Sequence, residues 1–351
     1  MSIRVLVVDD SALIREVLSS QLIIDGDIEV VGTAEDPIVA RQKIKELNPD
    51  VITLDIEMPN MNGLEFLSKL MRLRPLPVVM VSTLTHKGAS ETMLALELGA
   101  VDFVGKPGAD LAGGIEKFGA DIREKVRSAA QSDVKGQVMR PSIASKSFVA
   151  NSAAGVAAGS LIAIGASTGG VDAVRNVISR LPIDCPPVLV AQHMPESFTA
   201  RFAERLNQQV DLEVIEAEDR MPIETGKVYI AKGGFHLLVE ISSGQMKCRL
   251  TESELVSGHR PSVDVLFSSV AKTIGSKAVG AILTGMGKDG ANGLKSMREA
   301  GAYTVGQSKE SALVYGMPRV ANEIGAVVEE AAVEDIANRL ILGLLKQKTA
   351  A

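Results

Sequence analysis

The sequence predicts an α/β protein made of two parallel-sheet domains in tandem, and three observations predict it. Short apolar runs alternate with stretches of helical period along most of the 351 residues. Polar residues of chemically useful types stand where those runs stop. Between the two halves lies an aperiodic segment rich in Ser, Ala, Gly and Lys. Composition is that of a soluble globular chain, with 46% hydrophobic and 23% charged residues. No run approaches the ~20 apolar residues of a membrane span. The formal net charge of -6 argues against a nucleic-acid binder, which carries a basic patch, and favours a protein or small-molecule partner. Cys185 and Cys248 are too few for a disulfide or zinc framework, so a cytoplasmic setting is expected. The start, Met1-Ser2-Ile3-Arg4-Val5-Leu6-Val7-Val8-Asp9-Asp10, enters a strand directly and lacks the pattern of a signal peptide.

In the first half, Val5 to Val8, Val51 to Leu54 and Pro77 to Val81 read as strands, with helical patterns at Ser11 to Leu22 and Pro37 to Leu47. In a parallel sheet, ligands sit beyond the carboxyl ends of the strands. The polar residues at those ends are Asp9 and Asp10, Asp55, Ser82, and Lys106 ahead of Pro107. Carboxylates crowded at one edge repel unless a cation holds them, and a hard oxygen cluster suits Mg²⁺. A magnesium-bound aspartate is able to attack a phosphoryl group, with Lys106 and Ser82 binding the phosphate oxygens.

These motifs carry a resemblance. Residues 1–125 resemble a response-regulator receiver domain through Asp9-Asp10, Asp55 in Asp55-Ile56-Glu57-Met58-Pro59-Asn60-Met61-Asn62-Gly63, Ser82, and Gly105-Lys106-Pro107. The resemblance implies a flavodoxin-like fold, a phospho-acceptor at Asp55, and Mg²⁺ held by Asp10, Asp55 and the Glu57 carbonyl, with Asp9 in support. It also implies a switch formed by Ser82, Phe103 and Lys106, and a histidine kinase as phosphodonor.

A helical stretch near Ile115 to Ala129 closes this half. From Gln131 to Ala158 periodicity is lost, and residues 126–158 read as the end of that helix followed by an exposed linker.

The second half, residues 159–345, opens on Leu161-Ile162-Ala163-Ile164-Gly165-Ala166, an apolar run that breaks into Ser167-Thr168-Gly169-Gly170. Val171, Val174, Val177, Ile178 and Leu181 then mark one face of a helix beginning near Gly169. Strand, serine turn and helix form the layout of a nucleophile elbow, and Gly165-x-Ser167-x-Gly169 fits its pattern. Pro187 to Gln192 is a second strand ending at His193, followed by a helical stripe of Phe198, Phe202 and Leu206. Lys227 to Ala231 and His236 to Ile241 flank Gly233-Gly234 and read as a β-hairpin. Ala281 to Thr284 is a further buried strand, leading through Gly285-Met286-Gly287-Lys288 to Asp289. A helix with Leu294 and Met297 comes next.

Ser167, His193 and Asp289 therefore each follow an apolar strand, where a parallel sheet gathers side chains into one crevice. Acyl transfer needs this trio: a hydroxyl nucleophile, an imidazole that carries its proton, and a carboxylate that fixes the imidazole tautomer. The order Ser, His, Asp differs from that of α/β-hydrolases. His259 with Asp264 is the second pair considered, but no comparable strand end delivers both. A dinucleotide site is disfavoured, since Ser167 stands where that fingerprint needs Gly and His193 where it needs an acid.

Residues 159–345 resemble the catalytic domain of the CheB chemotaxis methylesterase family. The residues that carry this are Gly165-Ala166-Ser167-Thr168-Gly169-Gly170, Gln192-His193-Met194-Pro195, Gly258-His259-Arg260-Pro261-Ser262-Val263-Asp264 and Thr284-Gly285-Met286-Gly287-Lys288-Asp289-Gly290. The resemblance implies a doubly wound fold and a phosphorylation-activated hydrolase acting on glutamate methyl esters and glutamines of chemoreceptors. It implies Ser167, His193 and Asp289 as catalytic residues, the Met286 N–H as an oxyanion donor, Thr168 as an accessory, and no cofactor in this domain. It also implies a cytoplasmic protein without membrane insertion. The competing expectation is a non-enzymatic, phospho-switched adaptor whose second domain holds a nucleotide or a protein.

Overall fold

The computed structural model describes residues 2–58, 61–83, 85–106, 111–134, 136 and 153–349. The core of the expected linker, residues 137–152, and Pro59, Asn60 and Pro107 of the receiver-like motifs lie outside the described residues. The chain divides into two compact units, Met1–Ser142 and Ile143–Ala351.

The first unit alternates strand and helix: β1 (Ile3–Val8), α1 (Ala12–Leu22), β2 (Ile28–Ala34), α2 (Pro37–Leu47), β3 (Val51–Asp55), α3 (Gly63–Leu73), β4 (Val78–Ser82), α4 (His86–Glu97), β5 (Asp102–Gly105) and α5 (Leu111–Ala130). The strands pair in the order β2-β1-β3-β4-β5, all parallel. β3 and β4 are buried at every residue, as strands covered on both faces are. Side chains set the helix starts: Asp36 accepts from the Ile38 and Val39 N–H groups ahead of Pro37, and Asn62 accepts from Leu64 N–H. A Cβ at Gly63 would stand 2.0 Å from the Asp55 carbonyl oxygen, so this glycine lets α3 begin against the end of β3. The strand order reverses between β1 and β3, which opens a crevice at their carboxyl ends.

The second unit runs β6 (Leu161–Ala166), α6 (Gly170–Ile178), β7 (Val188–Gln192), α7 (Glu196–Asn207), β8 (Glu213–Glu216), β9 (Lys227–Ile230), β10 (His236–Ser242), β11 (Gln245–Thr251), α8 (Val263–Thr273), β12 (Ala278–Ile282), α9 (Ala291–Glu299), β13 (Tyr303–Gln307), α10 (Met317–Glu323), β14 (Glu329–Ala331) and α11 (Val333–Thr349). Seven strands form one sheet in the order β14-β13-β12-β6-β7-β9-β8, all parallel. Apolar continuity makes β6, β7 and β12 wholly buried central strands. The chain fills the sheet outward from β6 through β7 and then returns to β12 on the other side, so the reversal falls between β6 and β12.

Three expectations are corrected here. The hairpin does not join β9 to β10: β9 is paired on both edges by β7 and β8, and the hairpin is β10 with β11. Its turn is Ser243-Gly244, with φ of 51° and 77°, the two positive values that a tight hairpin turn requires. Gly233 serves another purpose, since a Cβ there would lie 2.3 Å from the Glu196 backbone nitrogen at the start of α7. The helix after Ser167 ends at Ile178, and Leu181 is buried beyond it. At the end of the expected linker, Ala153 is buried, and its N–H donates to Asp184 at 2.8 Å. Among the described residues no helix is long and apolar enough to cross a membrane.

Candidate active site

At the carboxyl edge of the first sheet, Asp9 and Asp10 follow β1, Asp55 ends β3, Ser82 ends β4 and Lys106 follows β5. Lys106 Nζ lies 2.9 Å from Asp9 Oδ2 and 2.8 Å from Asp55 Oδ2. Asp9, Asp10 and Asp55 offer carboxylate oxygens within 4.8 Å of one another, with Asp10 exposed and the other two buried. Burial pushes the Asp55 pKa up to about 6; Lys106 pulls it down, and the Asp9 charge adds to the rise. Burial alone would lower Lys106, but Asp55 and Asp9 outweigh it and hold the ammonium above its ordinary value. Hard oxygen donors, one of them open to water, fit Mg²⁺. Ser82 is buried, its hydroxyl donating to the Gly88 carbonyl at 3.3 Å. Phe103 lies in β5 and is buried. Glu57 follows β3 by two positions.

In the second unit, the three strand-end residues meet. Ser167 Oγ donates to His193 Nδ1 at 3.1 Å, and His193 Nε2 donates to Asp289 Oδ2 at 2.7 Å. All three are buried. With its Nε2 proton held by the carboxylate, the imidazole presents the Nδ1 lone pair to the hydroxyl. Ser167 is fixed through its backbone: its N–H donates to the Thr284 carbonyl at 3.0 Å, and its carbonyl accepts from Gly170 N–H at 2.7 Å and Gln192 Nε2 at 2.9 Å. β6 and the chain after β12 are in direct contact, because a Cβ at Gly285 would lie 2.7 Å from Ser167 Cβ. Met286 follows that glycine, and its N–H has no acceptor among the described residues. Thr168 is buried, and its carbonyl accepts from Thr284 Oγ1 at 3.0 Å.

Asp289 does not cap the helix that follows it. Oδ1 accepts from Ser262 Oγ at 2.8 Å and Asp264 N–H at 3.2 Å, and Oδ2 accepts from Val263 N–H at 2.7 Å. These donors are the start of α8, whose dipole favours an anion. Burial would raise the Asp289 pKa, but His193, Ser262 and Val263 together hold it below its ordinary value. Gly290, at φ 89°, carries the chain past Val263, where a Cβ would approach to 2.5 Å. Gly287 supplies only a positive φ of 84°, since no atom stands within 4 Å of a Cβ there.

The second candidate pair does not form. Asp264 Oδ1 accepts from Gly293 N–H at 2.6 Å, whereas the His259 ring stacks on His193 with centroids 3.7 Å apart. Sequence reasoning missed Ser262 and Gln192 as contributors to the site. Ser262 was legible as the N-cap of an apolar-periodic helix, but nothing local points it at Asp289.

Comparison with known proteins bears on both units. Residues 162–340 match the CheB methylesterase family model, and residues 5–112 match the response regulator receiver domain model. The protein-glutamate methylesterase/protein-glutamine glutaminase 1 of Caulobacter vibrioides is 54% identical over 343 residues, spanning 97% of each chain. The protein of the same name from Dechloromonas aromatica is 49% identical over 340 residues, covering 96% of this chain and 97% of its own. The crystal structure of the Thermotoga maritima CheB methylesterase catalytic domain superposes with a TM-score of 0.52 at 37% identity, covering 53% of this chain and 99% of that one. Two parallel-sheet units, matches to both family models and near-full-length likeness lead to one conclusion: the chain belongs to the CheB family of protein-glutamate methylesterase/protein-glutamine glutaminases, with a response regulator receiver domain ahead of the methylesterase domain.

Proposed function

We propose that this chain is a phosphorylation-activated hydrolase that demethylates glutamate methyl esters and deamidates glutamines on chemoreceptors in the cytoplasm. The observation that carries this reading is the hydrogen-bonded line from Ser167 Oγ through the His193 ring to Asp289, at 3.1 and 2.7 Å. His193 Nδ1 takes the Ser167 proton as Oγ attacks the γ-carbonyl carbon of the ester. Asp289 keeps the other ring proton on Nε2 and stabilises the imidazolium. The carbonyl oxygen becomes an oxyanion bound by the Met286 N–H. A second donor comes from Thr168 or Gly169, because the Ser167 N–H is committed to Thr284. One such donor is typically worth ~10²–10³ in rate. His193 returns the proton to the departing methoxide, methanol leaves, and a water repeats the sequence on the acyl-enzyme to release the glutamate side chain. With glutamine the leaving group is ammonia.

In the receiver, Asp55 accepts the phosphoryl group from a histidine kinase. Asp10, Asp55 and the Glu57 carbonyl would hold Mg²⁺, which would supply positive charge to neutralise the phosphoryl oxygens, and Asp9 would support them. Lys106 binds a phosphoryl oxygen, and Ser82 and Phe103 rearrange with the modification. Full-length protein is tested for methanol release from a methylated receptor, with and without a small-molecule phosphodonor and Mg²⁺. Stimulation that is absent in Asp55→Asn, and release that is absent in Ser167→Ala, are the expected results. Release at the wild-type rate by Ser167→Ala would remove the nucleophile from this account.

A further inference from the structure

His259 is an imidazole beside the candidate site to which the proposed reaction gives no part. Its ring lies over the His193 ring with centroids 3.7 Å apart and an interplanar angle of 15°. Both nitrogens of His193 are engaged at the ring's edge, Nδ1 with Ser167 and Nε2 with Asp289. The remaining freedom of the ring is rotation out of that plane, and His259 covers one of the faces that would have to sweep.

The chain fixes His259 in turn. Val256 N–H donates to the His259 carbonyl at 3.2 Å, and His259 N–H to the Val256 carbonyl at 3.0 Å. Between them Ser257 and Gly258 have φ of 53° and 83°, the two positive values of a tight two-residue turn. Arg260 Nη1 then binds the Glu252 and Ser253 carbonyls at 2.7 and 2.9 Å. Just beyond, Ser262, Val263 and Asp264 supply the donors to Asp289. One stretch of chain thus grips the His193–Asp289 pair twice, over the ring and behind the carboxylate.

We propose that His259 is a positioning residue for His193, a stacked aromatic ring that holds the imidazole in the plane of both its hydrogen bonds and stabilises the imidazolium formed when Ser167 gives up its proton. A cation over an aromatic face is attracted to it, and that cation exists only along the reaction. The contribution therefore enters kcat and leaves KM alone. The inference rests on the hydrolase reading given above.

The test uses full-length protein with His259→Phe, His259→Leu and His259→Ala. It reads kcat and KM for methanol release, the rate at which a fluorophosphonate labels Ser167, and Tm as the check on folding. The Leu and Ala variants are expected to lose about 3- to 30-fold in kcat and labelling rate with KM little changed, and the Phe variant to recover most of both. A Leu variant as fast as wild type, a Phe variant as slow as Ala, or labelling rates that do not respond at all would each overturn the proposal. If the Ala variant fails to fold, the Phe and Leu pair, similar in volume, decides the matter. Labelling needs no ester substrate, so wild-type protein that is labelled but releases no methanol would sink the methylesterase reading while the His259 comparison stands.

Discussion

Asp264 and Asp289 each serve the amino end of the helix that the other's segment begins. Asp289, just ahead of α9, accepts the Val263 and Asp264 N–H groups of α8, while Asp264, in the first turn of α8, accepts the Gly293 N–H of α9 at 2.6 Å. Replacing Asp264 with Ala leaves the second of these exchanges unmet. The expected loss is about 0.5–2 kcal/mol of stability, read as a lower Tm, together with a modest fall in kcat. Asp264→Asn, which caps nearly as well, is expected to stay close to wild type in both.

Asp289→Asn is expected to lower kcat for methanol release by about 10²–10⁴-fold, with a much smaller change in Tm. The carboxylate accepts from four donors. An amide at this position brings its own NH₂ into that ring of donors, and where it faces Nε2 the His193 proton moves to Nδ1. Ser167 then meets a donor where it needs an acceptor.

Gly170→Ala is expected to cost about 1–3 kcal/mol and to slow the reaction as well. The new Cβ would stand 2.0 Å from Gln192 Oε1 and 2.7 Å from Ala166 Cβ, and the displaced amide is the one that holds the Ser167 carbonyl. Removing the obstacle in the double variant with Gln192→Ala should recover part of the lost Tm but not the lost kcat. Thermal unfolding and turnover of the two single variants and the double variant check this coupling.

The receiver should show an inverted pH response. The Asp55 pKa is raised from 3.8 to about 6, so between those values the folded state keeps a proton that the unfolded chain has lost. Stability therefore falls as pH rises through that window. Asp55→Asn is expected to be more stable than wild type near pH 8 without divalent cations, by about 1–3 kcal/mol less whatever Lys106 loses with its partner. The difference should vanish below about pH 3, under both pKa values, where folded and unfolded states alike hold the proton. Chemical denaturation of the two proteins across that range in a chelator measures it. Added Mg²⁺ should raise the wild-type midpoint and leave the variant's nearly unchanged.

Much of the site is legible in the sequence because a parallel strand covered on both faces is a continuous apolar run. The polar residue that breaks such a run, as Asp55, Ser167 and His193 do, stands at the sheet's edge. What is not legible depends on partners remote in the chain. Gly233-Gly234 between two apolar runs carries the local signal of a hairpin, and only the presence of β7 and β8 beside β9 decides otherwise. β8 is hidden for a simpler reason: Glu213 and Glu216 break the pattern at both ends of a four-residue edge strand. Asp289 stands just ahead of α9, yet the donors it takes from the start of α8 lie 25 to 27 positions away and His193 lies 96 away.

The bond from Ser167 N–H to the Thr284 carbonyl continues a ladder that already includes Leu283 N–H to the Gly165 carbonyl, past the last residue of β12. The serine is thereby the end rung of the central sheet and not the tip of a free loop. Such a residue moves only when the middle of the domain opens, so its amide should exchange with solvent as slowly as the strand interior. Heat should then abolish turnover together with the fold, with no earlier fraying of the catalytic centre.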